Sequence, residues 1–382
     1  MEHSVHITDC ALVTGLGVGV DHVWSQLLAG KTAIRDVERF STKNYITNLA
    51  ATVPDLRAAA AGQSRLYPLL EMLLAQLAEV PAQARLITAT TKGAIDLLEM
   101  QCRQPDSAGK VPEQVQLGTV PSWVAHKLRL QDCGINVNAA CTSSTLAIAR
   151  GAALIAHGGA EVVVVVCADL VSEFVFSGFS ALQALAVEAS RPFDCQRSGL
   201  TLGEGAAALV LMSAEAAQRY GCKKLAQVRG WGAANDANHI TAPARDGCGL
   251  IQTIKQAVAQ AQIELDDVAA ISAHGTGTIY NDMMEITAFR AVFGERQLPL
   301  SSIKGALGHT LGAAGGIEAV LALKSLDTGI VPPTCGLLSP EQLIAKQVSS
   351  DKQTFCGDML LSTNSGFGGV NAALVLQRGE QC

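Results

Sequence analysis

A layered α/β fold made of two related halves is predicted by three observations. Short strands alternate with helices, runs of β-branched residues are too apolar to face water, and two small-residue helices each begin beside a reactive side chain. Residues 11–16 read as a strand, and Gly15, Gly17 and Gly19 turn the chain into a helix over 24–29. Residues 86–89 form a second short strand. The 141–157 segment is apolar or small on nearly every side, which predicts a buried helix rather than an amphipathic one. Gly158 and Gly159 end it, and the valines from Val162 to Val166 mark a strand covered on both faces. Residues 206–212 repeat that pattern. From 225 the order restarts: a strand over 225–231, a helix over 249–262, a strand over 268–273 that delivers His274, and a second small-residue helix over 309–326 closed by Gly329. The helices near Cys141 and His309 are counterparts, which implies a duplication with halves over 1–224 and 225–382. Residues 58–112 are the least patterned, with an Ala-rich patch and a polar loop over 103–110.

Composition narrows the function classes. Only 16% of the 382 residues are charged, where about 25% is usual for soluble proteins. Apolar residues make up 49% but aromatics only 4%, so the apolar mass is Ala, Val and Leu, with 36 Gly besides. Disorder and a coiled coil are excluded, and a formal net charge of -6 excludes a basic nucleic-acid binder. Surface hidden by more than the monomer's own core is expected. The longest uniformly apolar stretch, around 162–168, is far short of the roughly 20 residues that span a membrane. Glu2 and Asp9 at the start do not suit a secretory leader. Eleven scattered cysteines with no CxxC pair fit reduced thiols in a cytoplasmic protein better than disulfides or a zinc site.

Three side chains stand out chemically. Cys141, in Asn138-Ala-Ala-Cys-Thr-Ser-Ser144, starts the first buried helix. The positive end of a helix draws a thiol toward thiolate, and its free N–H groups suit an oxyanion. Position alone leaves a buried structural cysteine as an equal reading. His274 follows an apolar strand in Ala273-His-Gly-Thr-Gly-Thr278, and His309 precedes the second buried helix in Lys304-Gly-Ala-Leu-Gly-His309. Imidazoles presented by glycine-rich turns are placed to converge on a cleft, where they donate hydrogen bonds or shuttle protons near neutral pH. Two turn histidines are the plainer alternative. Gly15-x-Gly17 with Asp36 mimics a dinucleotide fingerprint, but Val20 takes the third glycine position and NAD is rejected.

Together these segments resemble the β-ketoacyl-(acyl carrier protein) synthases of the thiolase superfamily, in the elongating class with a Cys-His-His site. The matching stretches are Val13-Thr-Gly-Leu-Gly17, the Cys141 block, Ser190-Arg-Pro-Phe-Asp194, Gly203-Glu-Gly205, the His274 block, 304–318 and Asn364-Ser-Gly-Phe-Gly-Gly-Val-Asn371. The resemblance implies a thiolase-like fold, a duplicated five-layer αβαβα core with two mixed sheets. It implies decarboxylative condensation of an acyl chain on Cys141 with a malonyl thioester bound by His274 and His309. Backbone N–H groups of Cys141 and Phe367 would form the oxyanion hole, with Phe367 also the gate between the malonyl and acyl sides. Thr276, Thr278, Gly366 and Gly368 would hold substrate, and Phe179 would line the acyl pocket or the core. Lys304 would tune the field beside His309, paired with Glu318, and Asp282 would give structural support. No cofactor and no metal are implied. Substrates would arrive on the phosphopantetheine arm of an acyl carrier protein, with a homodimer, or a heterodimer with a chain-length-factor-like homologue, as the assembly.

The departures point to a specialised enzyme. Ser365 stands where elongating enzymes usually have a second Phe, and the stretch before Val137 is shorter than usual. Glu113, Gln114 and Gln183 fall where relatives offer basic residues to the acidic carrier. These features favour the catalytic subunit of an aryl-polyene or type II polyketide-like system over housekeeping fatty-acid elongation. A degradative thiolase is disfavoured because Cys356 and Cys382 lack a Cys-Gly-Gly setting, and an initiating synthase because His309 replaces its Asn. A non-catalytic chain-length factor is disfavoured because Cys141 and both histidines are retained.

Overall fold

Valine and alanine runs build the centre of the molecule, and small residues decide how closely its layers approach. The structure is a computed structural model that describes residues 3–58, 60, 62–103 and 111–379. The polar loop expected over 103–110 lies, beyond Arg103, outside the described residues, as does Cys382.

In the first half run β1 (Val5–Thr14), α1 (Leu66–Leu74), β2 (Arg85–Ala89), β3 (Ile135–Val137), α2 (Ser143–Ala156), β4 (Val162–Asp169), α3 (Glu173–Ala181) and β5 (Gly205–Ser213). In the second run β6 (Ala226–Asn235), α4 (Cys248–Ala261), β7 (Val268–Ser272), α5 (Ile279–Phe293), β8 (Leu300–Ser301), α6 (Ala314–Thr328), β9 (Met359–Gly366) and β10 (Val370–Arg378). Strand order across the molecule is β8-β7-β9-β10-β6-β1-β5-β4-β2-β3. Outward from the centre, β1 meets β5 and β5 meets β4 antiparallel, then β2 and β3 continue parallel. The other side repeats this: β6/β10 and β10/β9 antiparallel, then β7 and β8 parallel. The two mixed sheets meet at a seam of two residue pairs, His6 with Gln227 and Ile7 with Ala226.

Helices α2 and α6 lie between the sheets and touch strands of both, while α1 covers the outer face of β1 and β5 and α4 that of β6 and β10. Both faces of β4 and β5 are therefore buried along their whole length. That is why these strands carry no alternation. In α6, a Cβ on Gly315 would lie 1.9 Å from Thr145 Oγ1, and one on Gly316 would lie 2.3 Å from Cys167 Sγ. Glycine is thus required where α6 crosses α2 and β4.

Several expected boundaries shift. The first buried helix starts at Ser143, leaving Cys141 in the turn ahead of it. The second starts at Ala314 after a 3-10 turn over Leu311–Ala313, so His309 precedes it by a full loop. Helices α3 and α5 and the hairpin β9–β10 lacked a clear pattern because they bury mixed faces. Among the described residues, no helix is long and apolar enough to cross a membrane.

Candidate active site

The turn before α2 is built to present Cys141. Ala140 adopts φ +50°, a left-handed conformation that costs an L-residue about 1 kcal/mol or more. Hydroxyls hold that turn: Thr142 Oγ1 donates to Ala139 O and Ser143 Oγ to Ala140 O, both at 2.6 Å, while the Ala139 N–H donates to Ser143 Oγ at 2.9 Å. Cys141 as a residue is 7% exposed. Burial pushes the thiol up to about 11, against the downward pull of the Lys304 charge and the Phe367 and Cys141 N–H groups. The expected bias toward thiolate is thus outweighed at rest, and the site stores a neutral thiol.

His309 Nε2 lies 3.0 Å from Cys141 Sγ. Its Nδ1 accepts the Leu311 N–H at 3.1 Å, which assigns the ring proton of the neutral imidazole to Nε2. Leu311 sits at φ +54°, so the loop is bent to make that contact. His274 is oriented in the same sense. Its Nδ1 faces two donors, Lys304 Nζ at 3.2 Å and Asn364 Nδ2 at 3.1 Å, leaving Nε2–H as the free edge. The rings stand edge to face with centroids 5.2 Å apart. Burial, then the Lys304 charge, holds both imidazoles well below their ordinary value of 6.5, with His309 adding to the effect on His274. Two neutral N–H donors therefore share one apolar pocket with a thiol.

A buried charged network fixes these rings. Lys304 donates to Glu318 Oε1 and to the His274 carbonyl, and Asn364 Nδ2 donates to Glu318 Oε2 at 2.6 Å. Thr145 Oγ1 donates to Asn364 Oδ1, tying α2 to β9. Lys304 was expected beside His309. It bonds His274 instead and reaches His309 only through its field. Glu285 accepts the His274 and Gly275 N–H groups at 2.8 and 2.7 Å, and its acidity is pushed up to about 8 by burial and the neighbouring Asp282. Asp282, the expected support, accepts the N–H groups of Phe193, Thr276 and Gly277. Asp169, at the end of β4, accepts from Thr90, Thr91 and the Gly312 N–H, coupling the first half to the loop behind His309.

Two cavities meet at the thiol. One, of about 300 Å³, is lined by Cys141, His274, His309, Thr276, Thr278 and Gly366 among others. The second, of about 370 Å³, runs past Cys141 between Phe174, Val175, Leu182 and Leu311. Phe179 and Phe367 line both, stacked with centroids 5.7 Å apart and 23° between their planes. Phe179 therefore faces the cavities on one side and packs against the Phe176 core cluster on the other. Thr276 and Thr278 share a hydroxyl hydrogen bond of 2.9 Å at the first cavity's wall. Gly366 passes so close that a Cβ would lie 3.2 Å from the Cys141 nitrogen. Gly368, expected to hold substrate, lines neither cavity; at φ +86° its N–H donates to Ile240 O and its carbonyl accepts from Asn235. It turns the loop that carries Phe367. Ser365 Oγ donates to Asn371 Oδ1 at 2.6 Å, so the small residue is spent on the hairpin.

Sequence reasoning missed Ala140, Asp169, Glu285 and Leu311, and quoted Asn364 without a role. Glu285 carried a usable signal, standing one helical turn beyond Asp282 in a helix that packs under the His274 loop. The others act through backbone geometry or across the halves, and nothing local marks them.

The chain matches the family model "Beta-ketoacyl synthase, N-terminal domain" over residues 84–217 and "Beta-ketoacyl synthase, C-terminal domain" over 225–338. It is 30% identical to 3-oxoacyl-[acyl-carrier-protein] synthase 2 of Vibrio cholerae, covering 98% of this chain and 99% of the relative. It is equally 30% identical to the ketoacyl synthase alpha subunit of the tetracenomycin polyketide synthase of Streptomyces glaucescens, covering 98% and 99%. Among solved structures, the ishigamide ketosynthase/chain length factor superposes with a TM-score of 0.91 at 29% identity and full coverage of both chains.

Proposed function

The chain belongs to the β-ketoacyl synthase family, and we propose that it extends an acyl chain by two carbons through decarboxylative Claisen condensation with a malonyl thioester. The observation that carries this reading is the cluster of Cys141, His274 and His309, whose ligand-type atoms all lie within 4.8 Å of one another between two cavities.

In the first half-reaction, the Cys141 sulfur attacks an acyl thioester carbonyl. The developing oxyanion takes the N–H groups of Cys141 and Phe367, donors that cost no reorganisation at the moment of reaction. Collapse expels the pantetheine thiolate, which leaves with the proton given up by Cys141. The acyl chain then occupies the second cavity and Phe367 and Phe179 separate it from the first. In the second half-reaction, the Nε2–H groups of His274 and His309 donate to the malonyl thioester oxygen. They stabilise the enolate that forms as the carboxylate carbon leaves as CO2. The enolate carbon attacks the Cys141 thioester, and collapse expels the Cys141 thiolate, which takes a proton from water to restore the resting thiol as the β-ketoacyl product leaves. Lys304, Glu318 and Asn364 act as positioning residues, and the ammonium also keeps His274 neutral.

We assign no resident cofactor and no metal ion. Three such donors have the spacing of a zinc site, but the Lys304 ammonium, 3.2 Å from His274 Nδ1, opposes a second positive charge there. Substrates arrive on the phosphopantetheine arm of an acyl carrier protein, in the cytoplasm. The partner subunit is a second copy or a chain-length-factor-like homologue, and the assembly serves a specialised polyene or type II polyketide-like pathway. The likeness to both a fatty-acid and a polyketide synthase supports the condensing activity, and the ketosynthase/chain length factor neighbour supports the paired assembly.

The test is to incubate the protein with acyl- and malonyl-carrier proteins and follow intact masses. Acylation of wild type, absent in Cys141→Ala, with release of a ketoacyl product, is expected. An unmodified wild type and no product would sink the reading.

A further inference from the structure

The second cavity contains a basic residue for which the condensation has no use. Its wall is apolar where Phe174, Phe179, Leu182 and Leu311 face it, yet half-buried Lys92 lines it too. The Lys92 N–H turns toward Asp169 Oδ1 at 3.4 Å, so the backbone here is pinned behind the site. Three other buried or half-buried basic side chains are paired with carboxylates: Lys304 with Glu318, Arg39 with Glu204, and Arg65 with Asp96. The Lys92 ammonium meets no carboxylate among the described residues.

Donors of the other polar side chains of that wall are spent within the protein. Asn138 Nδ2 donates to Thr91 O at 3.2 Å, Thr91 Oγ1 to Asp169 at 2.8 Å and Ser177 Oγ to Phe174 O at 2.9 Å. Among the described residues that line this cavity, Lys92 is therefore the one whose strong side-chain donor takes no protein partner. A donor-only group on an apolar wall is costly to desolvate unless the occupant brings an acceptor. A plain alkyl chain brings none.

Taking this cavity as the acyl site, as the proposed function does, we propose that Lys92 is a specificity residue that selects acyl chains bearing an oxygen acceptor, a keto or carboxylate oxygen, over plain alkyl chains. Charge-assisted hydrogen bonds are roughly twice as strong as neutral ones, and a partly solvated site keeps a fraction of that advantage.

Pantetheine thioesters of equal length test this in competition: octanoyl, 5-oxo-octanoyl and 7-carboxyheptanoyl, read as intact-mass labels on the Cys141 of the full chain. In wild type, at least one oxygenated chain is expected to outcompete octanoyl by about fivefold to tenfold, the upper figure corresponding to ~1.4 kcal/mol. The ratio should fall to about one in Lys92→Met and be retained in Lys92→Arg. The winning chain tells a carbonyl from a carboxylate as the group recognised. A wild-type ratio near one, or one unchanged in Lys92→Met, overturns the assignment. The wild-type ratio decides it even if Lys92→Met does not fold. No label on wild-type Cys141 from any of the three thioesters is a different failure, one that removes the condensing reading itself.

Discussion

The ends of the two central helices began as counterparts and now do opposite things with burial. Ahead of α2, Cys141 is surrounded by hydroxyls and backbone, and burial keeps it neutral, its acidity moved up to about 11. Ahead of α6, burial has been met with charge: Lys304, Glu318 and Asn364 form a closed network against His274, all of it inside the protein. In the proposed reaction the first end supplies a nucleophile that ionises only as it reacts. The second supplies two imidazoles whose Nε2–H edges are free to meet substrate. On that reading the two ends separate covalent attachment from enolate stabilisation, and breaking one should spare the other.

The largest effect is expected from Cys141→Ala, which removes the covalent step. Product formation should drop by at least ~10³-fold, with no acyl adduct by intact mass. His309→Ala should break the other end selectively. Condensation should slow by about 10²- to 10³-fold, the cost of one oxyanion donor, while acylation of Cys141 stays measurable in a single-turnover mass assay. Equal loss of both steps would show that the division between the ends is wrong.

Lys304→Ala leaves the Glu318 carboxylate buried without its cation, which should lower unfolding stability by about 3–5 kcal/mol in a denaturant titration. The double change Lys304→Met with Glu318→Met should recover stability without recovering condensation, since His274 then loses an Nδ1 donor. The two ends should also differ in pH response. Acylation should climb about tenfold per unit up to pH 9 with no plateau, because the thiol titrates near 11. Condensation from a preformed acyl-enzyme should be flat above pH 6.5, both imidazoles being neutral there. Their folded-state acidities lie below the unfolded value, so below 6.5 the unfolded chain binds more protons and stability is lost as pH falls. The smallest effect is expected from Phe179→Ala. Losing the stacked partner of Phe367 costs about 0.5–1.5 kcal/mol of ring contact and should loosen the gate, seen as a several-fold rise in malonyl decarboxylation without chain extension.

Much of this site was legible because its reactive residues sit in short blocks dense with glycine or small residues. The valines of β4 and the alanines of α2 announced a layered interior, since no water-facing element carries such runs. The convergence of the two imidazoles on one cleft was legible from their glycine-rich turns. The pairing of Lys304 with His274 was not, because 30 residues separate them and β7 and the α6 approach must pack before they meet. Nor was Gly368 legible as a turn residue, since its partners Ile240 and Asn235 come from a distant loop and strand.

Sequence alone therefore determined the layered α/β class and pointed to a repeat and to three candidate side chains, because periodicity, residue size and glycine turns act over a few residues. The tertiary structure decided which nitrogen of each imidazole carries its proton, that the thiol rests neutral, and that two cavities share the stacked rings of Phe179 and Phe367 as a wall. Those properties depend on burial and on hydrogen-bond partners from β9, α5 and the Leu311 loop, groups that come within about 3 Å only when both halves have closed around α2 and α6.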